Sequence, residues 1–437
     1  MRRVVMRRAS LDFMHSGWMI LVATLILSTV GVACIYVTDT HYFSGHDGPR
    51  NAAKHAAAMV LSLVAAAVVL RVGYLRITQY AYLIFLCSLI LLTIPVIAKE
   101  SHSTLGGLVR PRNGAHRWIN IPGLQIQPSE IMKIGYILAL AWYLRFRSSY
   151  RSFRGLLIPF VATFVPAALI LLQPDLGMVL LMLPVLFAMV FVAGARLRHL
   201  AVLVLIGIAV IPAAWGQIHA YQRARVSAVL LQSETLRKNI IADPERYRFL
   251  ATKRQALEWA ASSGYQLVHS KNAIGSGGAL GYGWGHGLYA ESMLLPDRHN
   301  DFVFALVGHQ WGLVGCLIVL TCYGALIVSG IVIASGTAEP VGRLIAVGVV
   351  ALMSAQVVIN VGMTMGMLPT TGMTLPFISY GGSSLLTNVI ALALLVSVGQ
   401  HRPYLLATKS FEFQSTPRQR TPLIEFDKGL PGGRITL

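Results

Sequence analysis

The chain of 437 residues is 55% hydrophobic and only 12% charged, with a mean hydropathy of +0.64. These values exclude an ordinary soluble domain and indicate an integral membrane protein. Its formal net charge of +19 invites a nucleic-acid reading, but the Lys and Arg residues lie in short segments between apolar runs, which is the pattern of membrane topology. No nucleic-acid partner is expected.

Apolar runs of roughly 17 to 25 residues, enough for a helix to cross the hydrocarbon core, recur along the chain and predict about ten spans. They are residues 17–37, 54–71, 79–98, 128–145, 156–172, 177–194, 199–216, 301–333, 343–368 and 383–400. The expected fold class is an all-α polytopic membrane protein with one large outer loop, 217–300, between the seventh and eighth spans. The basic stretch before the first run could belong to a signal peptide, but the run is long and no small-residue cleavage site follows, so it reads as a retained span.

With the N-terminus inside, the basic segments at Arg2 to Arg8, Arg71 and Arg76, Arg145 to Arg154, Arg196 and Arg198, Arg343, and beyond Arg402 all fall on the cytoplasmic side, as the positive-inside rule requires. Residues 1–402 form the membrane domain in this reading, and 403–437 a disordered cytoplasmic tail. The four cysteines, Cys34, Cys87, Cys316 and Cys322, lie within apolar runs without metal-ligand spacing and read as packing residues.

Four segments carry polar groups at the edge of the membrane, where each is costly to bury. The first, Arg110 to Lys133, holds Arg117 and Trp118 at the interface, then Pro128 at the start of a helix, and Glu130 and Lys133 three residues apart on one helix face. Arg117 with Trp118 could hold a pyrophosphate and a sugar or anchor the loop, and Glu130 with Lys133 could contact substrate or form a structural ion pair. The second, QPDLG at Gln173 to Gly177, places Asp175 where it could cap the next helix or face a ligand.

The third, Leu294 to Gly308, crowds Asp297, Arg298, His299 and Asp301 against an apolar run. Asp301 is either an N-cap or a carboxylate in restricted water, with its pKa raised toward that of a general base. The fourth, Asn360 to Leu386, puts Pro, Gly and Ser, including Ser379 and Ser383, at membrane depth, and predicts a polar cavity wall.

The run GSGGALGYGWGHG from Gly275 to Gly287 lacks the GKS or GKT of a phosphate loop, so nucleotide binding is not expected. HExxH, CxxC and GxSxG are absent too.

GAHRWI, QPSEIMK, QPDLG, YQRARV, GYQLVHSKNAIGSGG, PDRHNDFVF and LPFISYGGSSLL, in this order, resemble the SEDS family (shape, elongation, division and sporulation), which includes RodA and FtsW. The resemblance covers residues 15–402. It implies a peptidoglycan glycosyltransferase with ten spans in the bacterial plasma membrane, extending glycan strands from lipid II on the extracytoplasmic face and releasing undecaprenyl pyrophosphate. It further implies Asp301 as the catalytic residue, Trp118 as the important tryptophan of the first large outer loop, and Glu130 with Lys133 as the intramembrane pair. The implied partner is a class B penicillin-binding protein, a transpeptidase.

The remaining substrate-binding candidates are Arg117, Asp175, Arg223, Lys271, Arg298, Ser379 and Ser383, with Arg225 as a further outer-face cation. No tightly bound cofactor is expected, no metal ligands are assigned, and a divalent cation is left open. Two departures stand out: His309, Gln310 and Trp311 where many relatives carry adjacent acidic residues, and an apparent insertion from Ser233 to Ala261, expected to be helical. A lipid flippase and a scaffold for a transpeptidase are the alternatives.

Overall fold

A computed structural model describes residues 2–42, 50–101, 107–109, 111, 116–121, 124–146, 154–215, 220–292 and 294–400. The expected tail at 403–437 lies outside the described residues.

Every apolar run expected to span falls on a helix. The first helices are α1 (Arg2–Tyr42), α2 (Arg50–Val72), α3 (Tyr74–Gln79) and α4 (Ala81–Glu100). A two-stranded antiparallel hairpin follows, β1 (Ile119–Ile121) and β2 (Leu124–Ile126), with Ile119 opposite Ile126. Next come α5 (Pro128–Leu144), α6 (Leu157–Leu172), α7 (Leu176–Val192) and α8 (Leu197–Trp215). Among the described residues five shorter α-helices occupy the expected large loop: α9 (Ala220–Leu230), α10 (Glu234–Ala242), α11 (Lys253–Leu257), α12 (Tyr265–Ser276) and α13 (Leu288–Glu291). The last described elements are α14 (Val303–Gly336), α15 (Pro340–Thr364) and α16 (Gly382–Gln400).

Among the described residues six helices are long and apolar enough to cross a membrane: Gly17–His41, Asn51–Val72, Ala81–Glu100, Val303–Gly336, Pro340–Thr364 and Gly382–Gln400. Leu157–Leu172, Leu176–Val192 and Leu197–Val210 are shorter apolar helices. This is a multi-pass membrane protein. Apolar side chains on α2, α4 and α8, among them Leu63, Leu83 and Leu205, face outward, as a lipid solvent permits.

The bundle centres on α5, α7, α15 and α16. Helix α16 packs on α2, α1 on α14, α4 on α5, and α15 on both α7 and α14. Because lipid tails are as apolar as leucine, close packing and hydrogen bonds hold such helices together. Gly31 of α1 shows the closeness: a Cβ there would stand 2.7 Å from the carbonyl oxygen of Ile378.

The apparent insertion is folded. Leu231, Ile240, Ala251, Ala256, Trp259 and Leu267 form a small core of their own, and the Trp259 indole donates to the Ala228 carbonyl at 2.9 Å. Thr252 caps α11 in a reciprocal box with Gln255.

The glycine-rich run closes a break in α14. Gly312 holds φ 61°, which interrupts the helix, and the loop repairs the ladder. Tyr282 N–H donates to the His309 carbonyl and Gly283 N–H to that of Gln310, while Leu313 and Val314 donate to the carbonyls of Gly278 and Ala279. A Cβ on Gly281 would lie 2.2 Å from the Gln310 oxygen, so the two backbones meet only because that side chain is missing. His309 lies in this seam, fully buried; its Nε2 accepts from Tyr289 N–H at 3.2 Å and its Nδ1 meets Ser276 Oγ at 3.0 Å.

Candidate active site

Pro128 starts α5 at a position where its missing N–H has no intrahelical partner. One turn in, Lys133 Nζ lies 2.6 Å from Glu130 Oε2, both side chains at most 4% exposed, and Thr387 of α16 donates to the same oxygen at 2.8 Å. This buried pair ties α5 to α16.

Asp175 caps α7, accepting from Met178 N–H at 3.4 Å. It does more than cap: Gln127 Nε2 donates to its Oδ2 at 3.1 Å and also to Ser129 Oγ at 3.0 Å. Arg117 reaches the same turn, its Nε donating to the Gln173 carbonyl at 2.9 Å and its Nη2 to the Pro174 carbonyl. Burial pushes the Asp175 carboxyl up, and the Arg117 guanidinium opposes that. Trp118 is half-buried directly before β1.

Asp301 precedes α14 and does not cap it: Phe302 occupies the N-cap position and contributes no side-chain cap. The Asp301 side chain is half-buried, and among the described residues its Oδ1 is buried without a hydrogen-bond partner. Its Oδ2 lies 3.5 Å from the point that a Cβ on Gly372 would occupy, and Arg225 Nη1 lies 3.8 Å from that same point. Carboxylate and guanidinium therefore share one small gap. Burial first, and then Asp297, push the Asp301 carboxyl up to about 7, against the opposing pull of Arg225 and Arg117, with Asp175 adding to the rise.

One end of the bundle thus brings together Arg117, Asp175, Arg225 and Asp301. The other candidates stand apart from Asp301 or support the backbone around it. Arg223 lies on a different face of α9 from Arg225. Lys271 is exposed and donates to Gln232 Oε1 at 3.1 Å. Arg298 is only 2% exposed and turns inward, its Nη1 donating to the carbonyls of Tyr289 at 2.7 Å and Ser292 at 2.5 Å. Ser379 Oγ donates to the Asn300 carbonyl at 2.6 Å and accepts from Leu375 N–H at 2.7 Å. Ser383 Oγ donates to the Gln125 carbonyl at 2.7 Å and accepts from Gln127 N–H at 3.2 Å.

Gln127, Gly372 and Asn360 are site residues that the sequence did not single out. Gln127 had a signal, adjacency to Pro128; the others become visible only when segments distant in sequence meet. Among the described residues no group of three or more His, Cys, Asp or Glu side chains gathers as a metal-ligand set.

Fold and site define a polytopic membrane protein with a half-buried carboxylate and two guanidinium groups at one end of its helical bundle. The sequence model described as "Cell cycle protein", built on FtsW, RodA and SpoVE, matches residues 17–404. Peptidoglycan glycosyltransferase MrdB of Escherichia coli K12 is 34% identical over 326 residues, covering 74% of this chain and 78% of MrdB. Probable peptidoglycan glycosyltransferase FtsW of Geobacter metallireducens is 32% identical over 385 residues, covering 87% of this chain and 93% of that protein. A chain from a peptidoglycan synthase complex, solved under a title on the structural coordination of polymerization and crosslinking, superposes with a TM-score of 0.67 at 29% identity, covering 89% of this chain and 98% of the other. The chain belongs to the FtsW, RodA and SpoVE family, the SEDS family that its motifs resemble.

Proposed function

We propose that this protein is a peptidoglycan glycosyltransferase that polymerises lipid II into glycan strands during cell elongation or division and releases undecaprenyl pyrophosphate. The observation that carries this reading is the Asp301 carboxylate, half-buried, raised to about 7, and sharing the gap over Gly372 with Arg225.

Transfer of a glycosyl group from a lipid pyrophosphate requires a base at the acceptor hydroxyl and positive charge at the leaving group. In this reading Asp301 accepts the proton of the sugar 4-hydroxyl as that oxygen attacks the anomeric carbon, and the bond to the pyrophosphate breaks. Arg225 and Arg117 offset the charge that develops on the departing pyrophosphate. In this reading Trp118, Arg223 and Lys271 are further contacts to lipid and glycan. Glu130, Lys133, Arg298, Ser379 and Ser383 shape the site from behind. A divalent cation, if one takes part, arrives with the pyrophosphate.

The same reading has residues 1–402 crossing the bacterial plasma membrane ten times, with 217–300 and the site on the extracytoplasmic face, where the polymer is assembled. The relative solved within a peptidoglycan synthase complex supports a class B penicillin-binding protein as partner.

The test is polymerisation of purified lipid II in detergent by wild type and Asp301→Ala, with and without the cognate transpeptidase. Glycan ladders from the wild type and none from the variant are expected. Equal ladders from both remove Asp301 as the base. No ladder under any condition, with lipid transport in vesicles, replaces the enzyme with a flippase.

A further inference from the structure

The segment that carries Asp301 is irregular backbone. Asp297 sits at φ 52°, and its carbonyl accepts the N–H groups of Asn300, Asp301 and Phe302, which folds the chain back just before α14. Such a turn fixes its own N–H groups and leaves the carbonyls of His299, Asn300 and Asp301 to be satisfied from elsewhere.

All three are satisfied by the stretch that links α15 to α16 and by the end of α15 itself. Tyr380 N–H donates to the His299 carbonyl at 2.9 Å, Ser379 Oγ to the Asn300 carbonyl at 2.6 Å, and Asn360 Nδ2 to the Asp301 carbonyl at 3.0 Å. Asn360 is fully buried, and the same Nδ2 also donates to the Met373 carbonyl at 2.6 Å. It thereby clasps the Asp301 backbone to the strand of chain next to Gly372, the residue that separates the Asp301 carboxylate from Arg225. Phe377, two residues before Ser379, is held at φ 67°, a region that bulky side chains rarely enter. A strained stretch persists only where its surroundings over-determine it.

We propose that Asn360 is a positioning residue for Asp301: by bonding the carbonyls of Asp301 and Met373 together it fixes the distance between the carboxylate and Arg225 across Gly372. The inference rests on the glycosyltransferase reading and goes beyond it, since Asn360 has no need to touch substrate. Misplacing a reacting group by about 1 Å can lower a rate by two orders of magnitude, and loss of a clasp between two loops permits such a shift.

The experiment compares steady-state lipid II polymerisation by wild type, Asn360→Ala, Ser379→Ala and the control Asn388→Ala. Asn388 is a buried asparagine of α16 that bonds Ser384 and not the Asp301 turn. Asn360→Ala is expected to lower kcat about tenfold or more with KM for lipid II held within about twofold, the pattern of a misplaced reacting group. Ser379→Ala shows the same split in smaller measure, and Asn388→Ala leaves kcat near wild type even where it lowers Tm. Wild-type kcat in folded Asn360→Ala overturns the proposal, as does an equal fall in kcat in Asn388→Ala. If Asn360→Ala does not fold, Ser379→Ala decides, an unchanged kcat counting against the clasp. A wild type that makes no glycan overturns the glycosyltransferase reading and this inference with it.

Discussion

Asp301 and Arg225 face each other across a missing side chain: a Cβ on Gly372 would stand 3.5 Å from the Asp301 Oδ2 and 3.8 Å from the Arg225 Nη1. On the proposed reaction this gap holds the group that both act upon. Gly372 also holds φ 75°, so any side chain there strains the backbone by about 1 to 2 kcal/mol. Gly372→Ala is expected to lower polymerisation by about tenfold or more while shifting Tm by only a few degrees. Glycan ladders alongside thermal unfolding in detergent check both parts.

The raised Asp301 carboxyl makes two pH-dependent predictions. The proposed base must be ionised to act, so on that reading polymerisation should climb with pH through about 7, and Asp301→Asn should be inactive throughout. Stability runs the other way. A carboxyl whose folded pKa lies above its unfolded value of about 4 keeps its proton longer in the fold, so its contribution is fully present below about 4 and is lost as pH rises to about 7. Asp301→Asn should therefore unfold at a higher temperature than wild type at pH 8 and at nearly the same temperature at pH 4. Scanning fluorimetry at the two pH values tests this.

The Glu130–Lys133 pair is 2.6 Å long and buried. Removing one partner strands the other charge, so Glu130→Ala is expected to cost about 3 to 5 kcal/mol. Replacing both together, as Glu130→Leu with Lys133→Met, should restore much of the loss. A double-mutant comparison of unfolding in detergent, with lipid II affinity measured in parallel, separates the pair's structural share from any contact with substrate.

Arg117 spans two carbonyls of the QPDLG turn with two different nitrogens. A lysine keeps the charge but offers a single ammonium in place of that fork. Arg117→Lys should therefore loosen the turn that holds Asp175 and lower polymerisation by about tenfold, whereas a site needing only positive charge would tolerate it. Side-by-side kinetics of Arg117→Lys and Arg117→Ala distinguish these outcomes.

Much of the fold was legible in the sequence because a bilayer imposes a length on every crossing: the runs at 17–37 and 343–368 fall on α1 and α15 with little ambiguity. Local pairs were legible for the same kind of reason. Three-residue spacing brings Glu130 to Lys133, and an aspartate before an apolar run caps α7 at Asp175. Asp301 sits in a similar position, yet the backbone turn at Asp297 moves it off the cap, which local spacing does not encode. Arg225 meeting Asp301, Gln127 reaching Asp175, and Asn360 holding the Asp301 carbonyl all depend on how distant helices pack. Arg298 illustrates the reverse case, a charge near the right place in sequence that the fold turns inward onto backbone carbonyls.

The seam between the glycine-rich loop and the broken helix α14 is made of main-chain hydrogen bonds on both sides. Such a joint requires that the glycines at the crossing stay bare, and the buried His309 side chain braces it by accepting from Tyr289 N–H. Leu280, which projects from it into an exposed position, is thus free to vary without loosening it, whereas the Trp284 indole donates to the Ala33 carbonyl of α1 and Tyr282 packs on His309. Evolution could change that one exposed position for a different lipid or neighbouring protein while the top of α14, and with it the Asp301 turn, keeps its place.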